Sequence, residues 1–331
     1  MGFVAEKKEE QHPELKKEIE DVLAEDLQTD PDFKTVRCYV RITARAVHER
    51  LLKKPPCTAE GFCRRTLHNV LDRLGYTLKK VLKTKPLRKV PETDAIFANV
   101  ALRHEEAKAN PAILRLSIDT KAKVKIGNLS RGGYCRALHT LSAEDHDQHW
   151  DATLVPLGIY EVNTEQVSIF FGNSLQTSDF ITEGLEQWWL LRKDKLGHHE
   201  QIMIDLDNGQ SSAGNTRRFV RQMVAFAKTI NMPVQLVYYP PYHSKYNKVE
   251  RVWAVSENYW RGLILDTVDN TLKIAGQMTW KGVQPIVRLI DKVYQKGLPV
   301  PSKRELKELH RFIRRHDTLK KWDIHFSPVP V

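Results

Sequence analysis

Four cysteines in 331 residues (Cys38, Cys57, Cys63 and Cys135), none in CxxC spacing, are too few for a disulfide scaffold and fit a reducing compartment. No apolar run approaches the roughly eighteen residues that a membrane-spanning helix needs. The opening MGFVAEKKEEQHPELKK is too polar for a secretory signal, so a cytoplasmic location is expected. Repeats and low-complexity tracts are also missing. With 41% apolar and 28% charged residues, the chain is a globular protein with room for two or three domains.

Acidic residues are scarce in one region. Between Lys34 and Lys89, sixteen Lys or Arg face three acids, a local net of +13 in a chain whose total is +11. A basic block beside a near-neutral body is the footprint of a nucleic-acid-binding module, with a merely solvated basic surface as the alternative.

Helical spacing of apolar residues recurs three times in or just before this block, over 12–26, 42–54 and 62–75. Pro55 and Pro56 stop the second helix, and Gly75 sits where a C-terminal cap is wanted. With the basic, strand-like YTLKKVLKTKP (76–86), these helices predict an all-α helix-turn-helix domain with a wing. Arg64, Arg65, His68 and Asn69 on the third helix, and Lys79, Lys80 and Lys83 on the wing, are the candidate DNA contacts. Cys63 makes a weaker N-cap for that helix than serine or threonine would. A structural three-helix cap is the competing reading. The helix-turn-helix domain and its proline-bearing linker are assigned to 1–94.

From 95 onward the pattern changes. A helix over 95–109 precedes strands at 112–124, 152–164 and 166–175, a helix at 177–195, a strand at 201–209, a helix at 215–230 and a strand at 234–239. A further helix starts near Asn247. The order β-β-β-α-β-α-β-α predicts a mixed α/β sheet with flanking helices, the element order of a ribonuclease-H-like fold, over 95–265. The remainder, 266–331, reads as a helical C-terminal extension.

Strand alternation sorts the acids. In LRLSIDT, Ser117 and Asp119 share the face opposite Leu116 and Ile118; in IMIDLDNG, Asp205 and Asp207 lie opposite Ile204 and Leu206. Asp119 and Asp207 both end strands that this fold makes neighbours. Adjacent carboxylates repel, and a divalent cation relieves the repulsion; Mg²⁺ with oxygen ligands suits so few acids, and a pair of such ions suits phosphodiester cleavage. Each acid also has a plainer reading: Asp119 as a strand end, Asp207-Asn208-Gly209 as a turn. Asp205 lies one pleat deeper and is not favoured as a ligand. Glu250 follows YYPPYHSKYNKV and has capping-box spacing from Asn247, yet it borders the apolar stripe of Val249, Val252, Trp253, Ser256 and Trp260. Cys135, His139, His146 and His149, within a polar loop, match no structural-zinc spacing.

The segments LSIDTKAKVKIGN (116–128), DNGQS (207–211), YPPYHSKYNKVE (239–250) and NYWRG (258–262) together resemble the ISAzo-type insertion-sequence transposases of the DDE superfamily. The resemblance runs from about residue 12 to the WDIHF near the C-terminus. It departs where Asn208 precedes Gly209, since a glycine usually follows the second aspartate directly, and in a shorter upstream DNA-binding segment. What it implies is a DNA transposase that binds terminal inverted repeats and target DNA and performs two-metal-ion strand cleavage and strand transfer. Asp119, Asp207 and Glu250 would be its catalytic, metal-binding acids, using Mg²⁺ with Mn²⁺ as a substitute. Asn208, His243, Ser244, Lys245 and Asn247 would support the site. Two ends must be joined, so a homodimer or larger assembly on DNA is expected. The rival readings are a non-catalytic, repressor-like DNA-binding protein descended from a transposase, and a nuclease of the same fold that does not join strands.

Overall fold

The computed structural model describes residues 7–24, 27–29, 38–40, 42–54, 59–77, 90–144, 149–295 and 297–331, with 27–29 and 38–40 as backbone alone. The chain divides into two compact units, Met1–Thr84 and Lys85–Val331. That division falls ten residues before the boundary expected at 94.

In the first unit, α1 (Lys8–Gln11) and α2 (Glu14–Ala24) precede an antiparallel pair, β1 (Leu27–Thr29) and β2 (Cys38–Val40), followed by α3 (Ala44–Leu51) and α4 (Arg64–Arg73). Leu15, Ile19 and Leu23 of α2, Val47 and Leu51 of α3, and Leu67 and Val70 of α4 close one small core, as their helical spacing requires. The caps follow from local chemistry. Thr43 accepts the Ala46 amide at the start of α3, and Cys63, for all its weakness as a cap, accepts the Thr66 amide through sulfur at 3.4 Å. The described strands of this unit lie between α2 and α3; of the expected wing only residues 76 and 77 are described, and Lys79, Lys80 and Lys83 lie outside the described residues.

The second unit opens with α5 (Thr93–Ala109) and builds one sheet. Its strands are β3 (Ile113–Thr120), β4 (Val124–Ile126), β5 (Ala152–Glu161), β6 (Val167–Gly172), β7 (Gln201–Asp207), β8 (Val234–Tyr239), β9 (Ile286–Ile290), β10 (Ile313–Arg315) and β11 (Asp323–Phe326). They run in the order β10-β11-β8-β7-β3-β5-β6-β9, with β4 paired to β5. β3, β7 and β8 are parallel while β5, alone between β3 and β6, runs against both, which is the ribonuclease-H-like arrangement. Helices α6 (Ser178–Leu196), α7 (Arg217–Ile230) and α10 (Lys303–Leu309) cover one face; α5, α8 (Val249–Trp260) and α9 (Val268–Gln277) cover the other. Buried Leu114, Leu116, Ile118, Ile202 and Ile204 fill the core beneath α6 and α7.

Two expectations are corrected. The strand read over 112–124 ends at Thr120, and Val124–Ile126 forms a separate short strand on β5. The tail from 266 is not a helical extension: besides α9 and α10 it supplies β9 to one edge of the sheet and β10 and β11 to the other. β9 finds its partner β6 more than a hundred residues upstream, β11 pairs with the distant β8, and β10 pairs with β11. Asp323 of β11 shows how firmly: fully buried, it accepts hydrogen bonds from Asn99 (3.1 Å), Arg103 (2.7 Å) and Gln235 (2.8 Å), tying α5 and β8 to the C-terminal strand.

Candidate active site

Asp119 and Asp207 end the adjacent parallel strands β3 and β7, so their carboxylates emerge at the same edge of the sheet. Beyond β8 the chain turns through Pro240 and Pro241 and a 3-10 turn, Ser244–Tyr246, and enters α8, which carries Glu250 in its first turn. Three elements far apart in sequence thus bring three acids to one place.

The register of α8 is fixed by β3. The Ser117 hydroxyl, on the same strand face as Asp119, donates to Asn247 Oδ1; Asn247 Nδ2 donates to the Ile118 carbonyl at 2.9 Å. The Val249 amide donates to Ser117 Oγ at 2.9 Å, which satisfies one of the donors that a helix start leaves open. Ser117 and Asn247 are fully buried. Asn247 is therefore not the N-cap of a capping box. Lys248 holds that position with no side-chain cap, and Asn247 reaches across to the sheet because a buried amide must be paired where it lies. Sequence reasoning passed over Ser117; its signal was its place two residues before Asp119 on one face.

Glycine makes this docking possible. Gly158 on β5 stands opposite Asp119, and a β-carbon there would lie 2.6 Å from the Trp253 ring and 2.9 Å from Val249. The absence of a side chain lets α8 settle directly beside the acid.

The electrostatics are those of an uncompensated acid cluster. Burial, then the charges of Glu250 and Asp207, push the Asp119 carboxyl up to about 8. Burial and then Glu250 push Asp207 up to about 6. Asp207 Oδ1 and its neighbour Asn208 Oδ1 are both buried without a hydrogen-bond partner. A small cleft lined by Asp119, Thr120, Gln176, Asp207, Gly209 and Ser212 opens beside the two aspartates. Its rim is ordered by Gln176, which donates to Thr120 Oγ1, and by Ser212, whose hydroxyl donates to the Asp207 carbonyl at 3.0 Å.

Orphaned carboxylate oxygen and mutual repulsion fit a divalent cation, which would supply the missing positive charge. Among the described residues no set of three His, Cys, Asp or Glu stands at metal-ligand spacing, so these acids meet through their electrostatics and not as a closed cage.

Asp205 is a different kind of acid. Fully buried, it accepts from Arg115 Nε (2.8 Å) and Nη2 (2.6 Å) and contacts His104 Nε2 at 3.0 Å. Its charge is already paired.

The other expected residues are distributed as follows. His243 is buried, donates from Nδ1 to the Pro241 carbonyl at 2.7 Å and packs edge-on against Phe97. Ser244 starts the 3-10 turn, and Lys245 is exposed with its ammonium 5.1 Å from the Tyr246 ring. In the first unit, Arg64, Arg65, His68 and Asn69 all lie on the exposed side of α4, with His68 3.5 Å from Asp72.

The family profile described as "Rhodopirellula transposase DDE domain" matches residues 18–328. The chain belongs to this family of DDE transposases. No curated protein sequence matches it. Among solved structures, the Mos1 transposase paired-end complex with left transposon end is 13% identical, covering 78% of this chain and 68% of that one, at a TM-score of 0.43. The mariner Mos1 paired end complex with Mg is 12% identical over 76% and 79%, at 0.42. A simian T-cell lymphotropic virus intasome, in complex with PP2A regulatory subunit B56 gamma, is 13% identical over 79% and 78%, at 0.31.

Two results are expected of this transposase. Because Asp119 is held above its ordinary value near 3.8, the folded protein keeps a proton that the unfolded chain releases, so metal-free stability falls as pH rises from about 4 to 8. Asp119→Asn should flatten that decline and raise the metal-free melting temperature at pH 7.5, read by calorimetry at several pH values. Asn247→Ala removes two buried hydrogen bonds and frees the start of α8. It should cost about 1–3 kcal/mol of stability. Misplacing Glu250 by even about 1 Å should slow strand cleavage roughly 100-fold.

Proposed function

We propose that the chain is a metal-dependent DNA strand-transfer enzyme whose catalytic, metal-binding residues are Asp119, Asp207 and Glu250. The observation that carries this reading is the convergence of the three acids at one sheet edge, where burial and the charge of Glu250 push both aspartate carboxyls up, in a member of a DDE transposase family. Keeping such a cluster costs stability, which a repressor that only occupies DNA has no reason to bear.

The three carboxylates would hold Mg²⁺, with Mn²⁺ as a substitute. Bound there, the cations would supply Lewis-acid activation of the attacking oxygen and neutralise charge on the leaving one. In the first step the oxygen of water attacks the scissile phosphorus and the P–O3′ bond breaks. A 3′-hydroxyl is left on the element's end and a 5′-phosphate on the flank. In the second step that hydroxyl attacks a target phosphodiester, forming one P–O bond as another breaks, with no covalent protein–DNA intermediate. Ser117 and Asn247 keep Glu250 in register, and Asn208, His243, Ser244 and Lys245 support the approach.

The first unit would grip the terminal inverted repeats as a helix-turn-helix. Arg64, Arg65, His68 and Asn69 of α4 would enter the groove, and Lys79, Lys80 and Lys83 would reach the backbone. A homodimer or larger assembly would bring two ends together in the bacterial cytoplasm. Joining is the step that separates a transposase from a nuclease. A pre-cut end bearing the repeat and a free 3′-hydroxyl should be joined to a supercoiled plasmid in Mg²⁺; cutting without joining would favour the nuclease. Arg64→Ala with Arg65→Ala should weaken binding to the repeat at least tenfold and make the salt dependence shallower, by gel shift at several salt concentrations.

A further inference from the structure

Between β8 and α8 lies a feature that the acids leave unexplained. Tyr242 has φ of +64°, a left-handed conformation that a bulky side chain adopts only against strain, and yet 58% of its surface is exposed. Four residues on, Tyr246 is 51% exposed although its ring is held. Phe97 of α5 meets it edge-on at 5.2 Å, His243 stacks on it at 6.1 Å, and the Lys245 ammonium lies 5.1 Å from its centroid. The two prolines before Tyr242 further restrict the turn. This segment leaves the same sheet edge that carries Asp119 and Asp207 and leads directly to Glu250.

Two aromatic rings kept in solvent on one turn, with a cation beside that of Tyr246, are not explained by core packing. Aromatic surface with positive charge is the combination that binds unpaired nucleic acid, since every base has a face to stack and a phosphate to neutralise. A recessed acid cluster also poses a geometric problem for duplex DNA. Where the adjacent base pair opens as the scissile phosphate enters, stacking of the freed base can offset the cost. We propose that Tyr242 and Tyr246, with Lys245, form a stacking surface for the unpaired base next to the scissile phosphate. The inference rests on the strand-transfer reading above and adds the DNA state that the site takes.

The test uses the full chain without divalent metal, so that nothing is cut. Two duplexes carry the repeat that flanks the coding sequence, one fully paired and one with a two-base mismatch beside the cleavage position. Wild type should bind the mismatched duplex roughly tenfold more tightly. Tyr242→Ala and Tyr246→Ala should each lose most of that preference while binding the paired duplex as wild type does, and the Tyr→Phe variants should keep it. With 5-iodouracil at the unpaired position, irradiation of wild type should crosslink Tyr242 or Tyr246, which tests the contact without any variant.

A preference retained by both alanine variants, or a crosslink that maps elsewhere, overturns the stacking surface alone. So do alanine variants that keep the preference but fall apart from dimer to monomer, since the tyrosines would then contact a second copy of the chain. A wild type that binds neither duplex overturns the strand-transfer reading and this surface with it.

Discussion

Glu250→Gln is expected to lower metal-dependent strand cleavage by on the order of 10³-fold or more, with binding to the repeat unchanged. The substitution keeps the shape of the side chain and removes its charge. Glu250 contributes to the upward push on both Asp119 and Asp207, so its neutralisation lets both carboxyls move down toward the ordinary aspartate range. The sign of the stability change is therefore opposite to that of activity: without metal the variant should melt at the same temperature as wild type or higher. Cleavage of an end-labelled duplex and a calorimetric scan, made on one preparation, separate the two effects. Lost activity with a lowered melting temperature would mean that Glu250 is structural.

Asp205→Ala, two residues from Asp207 on the same strand, should do the reverse. Asp205 is the buried partner of Arg115, and its removal leaves a residue that is 8% exposed with its guanidinium beside His104 and Tyr239 and without this carboxylate. Breaking a buried pair from one side costs about 3–5 kcal/mol. The variant should unfold at markedly lower denaturant, or fail to accumulate in soluble form. Asp207→Asn should be folded and inactive. Denaturant midpoints of the two proteins decide it; an Asp205→Ala variant with wild-type stability would show that the Arg115 pair contributes little.

This contrast also marks how far the sequence could be read. Strand alternation placed Asp205 and Asp207 on one face, and the sequence set Asp205 apart only by its place one pleat deeper. The distinction comes from Arg115, ninety residues away, and from a pleat that sets one acid over β3 and the other at its end. Asp119, Asp207 and the strand order were legible because alternation is a backbone property and the βαβ order admits few topologies. Glu250 was legible as a candidate, but the role given to Asn247 was not. The spacing Asn-Lys-Val-Glu satisfies a capping box on paper, and only the folded sheet supplies Ser117 as the better partner. The tail misled for a related reason. IVRLI and DIHF are too short to announce strands, and each becomes one only against an edge built by distant residues.

Whether Asp119, Asp207 and Glu250 form one metal centre can be read with Fe²⁺ in place of Mg²⁺. With ascorbate and peroxide, iron occupying a Mg²⁺ site generates hydroxyl radicals that cut the polypeptide nearby. Cuts are expected to cluster at the ends of β3 and β7 and at the start of α8, to be suppressed by excess Mg²⁺ and to be absent from Asp207→Asn. Cuts at other positions, or a pattern that neither Mg²⁺ nor the substitution changes, would contradict a single metal centre.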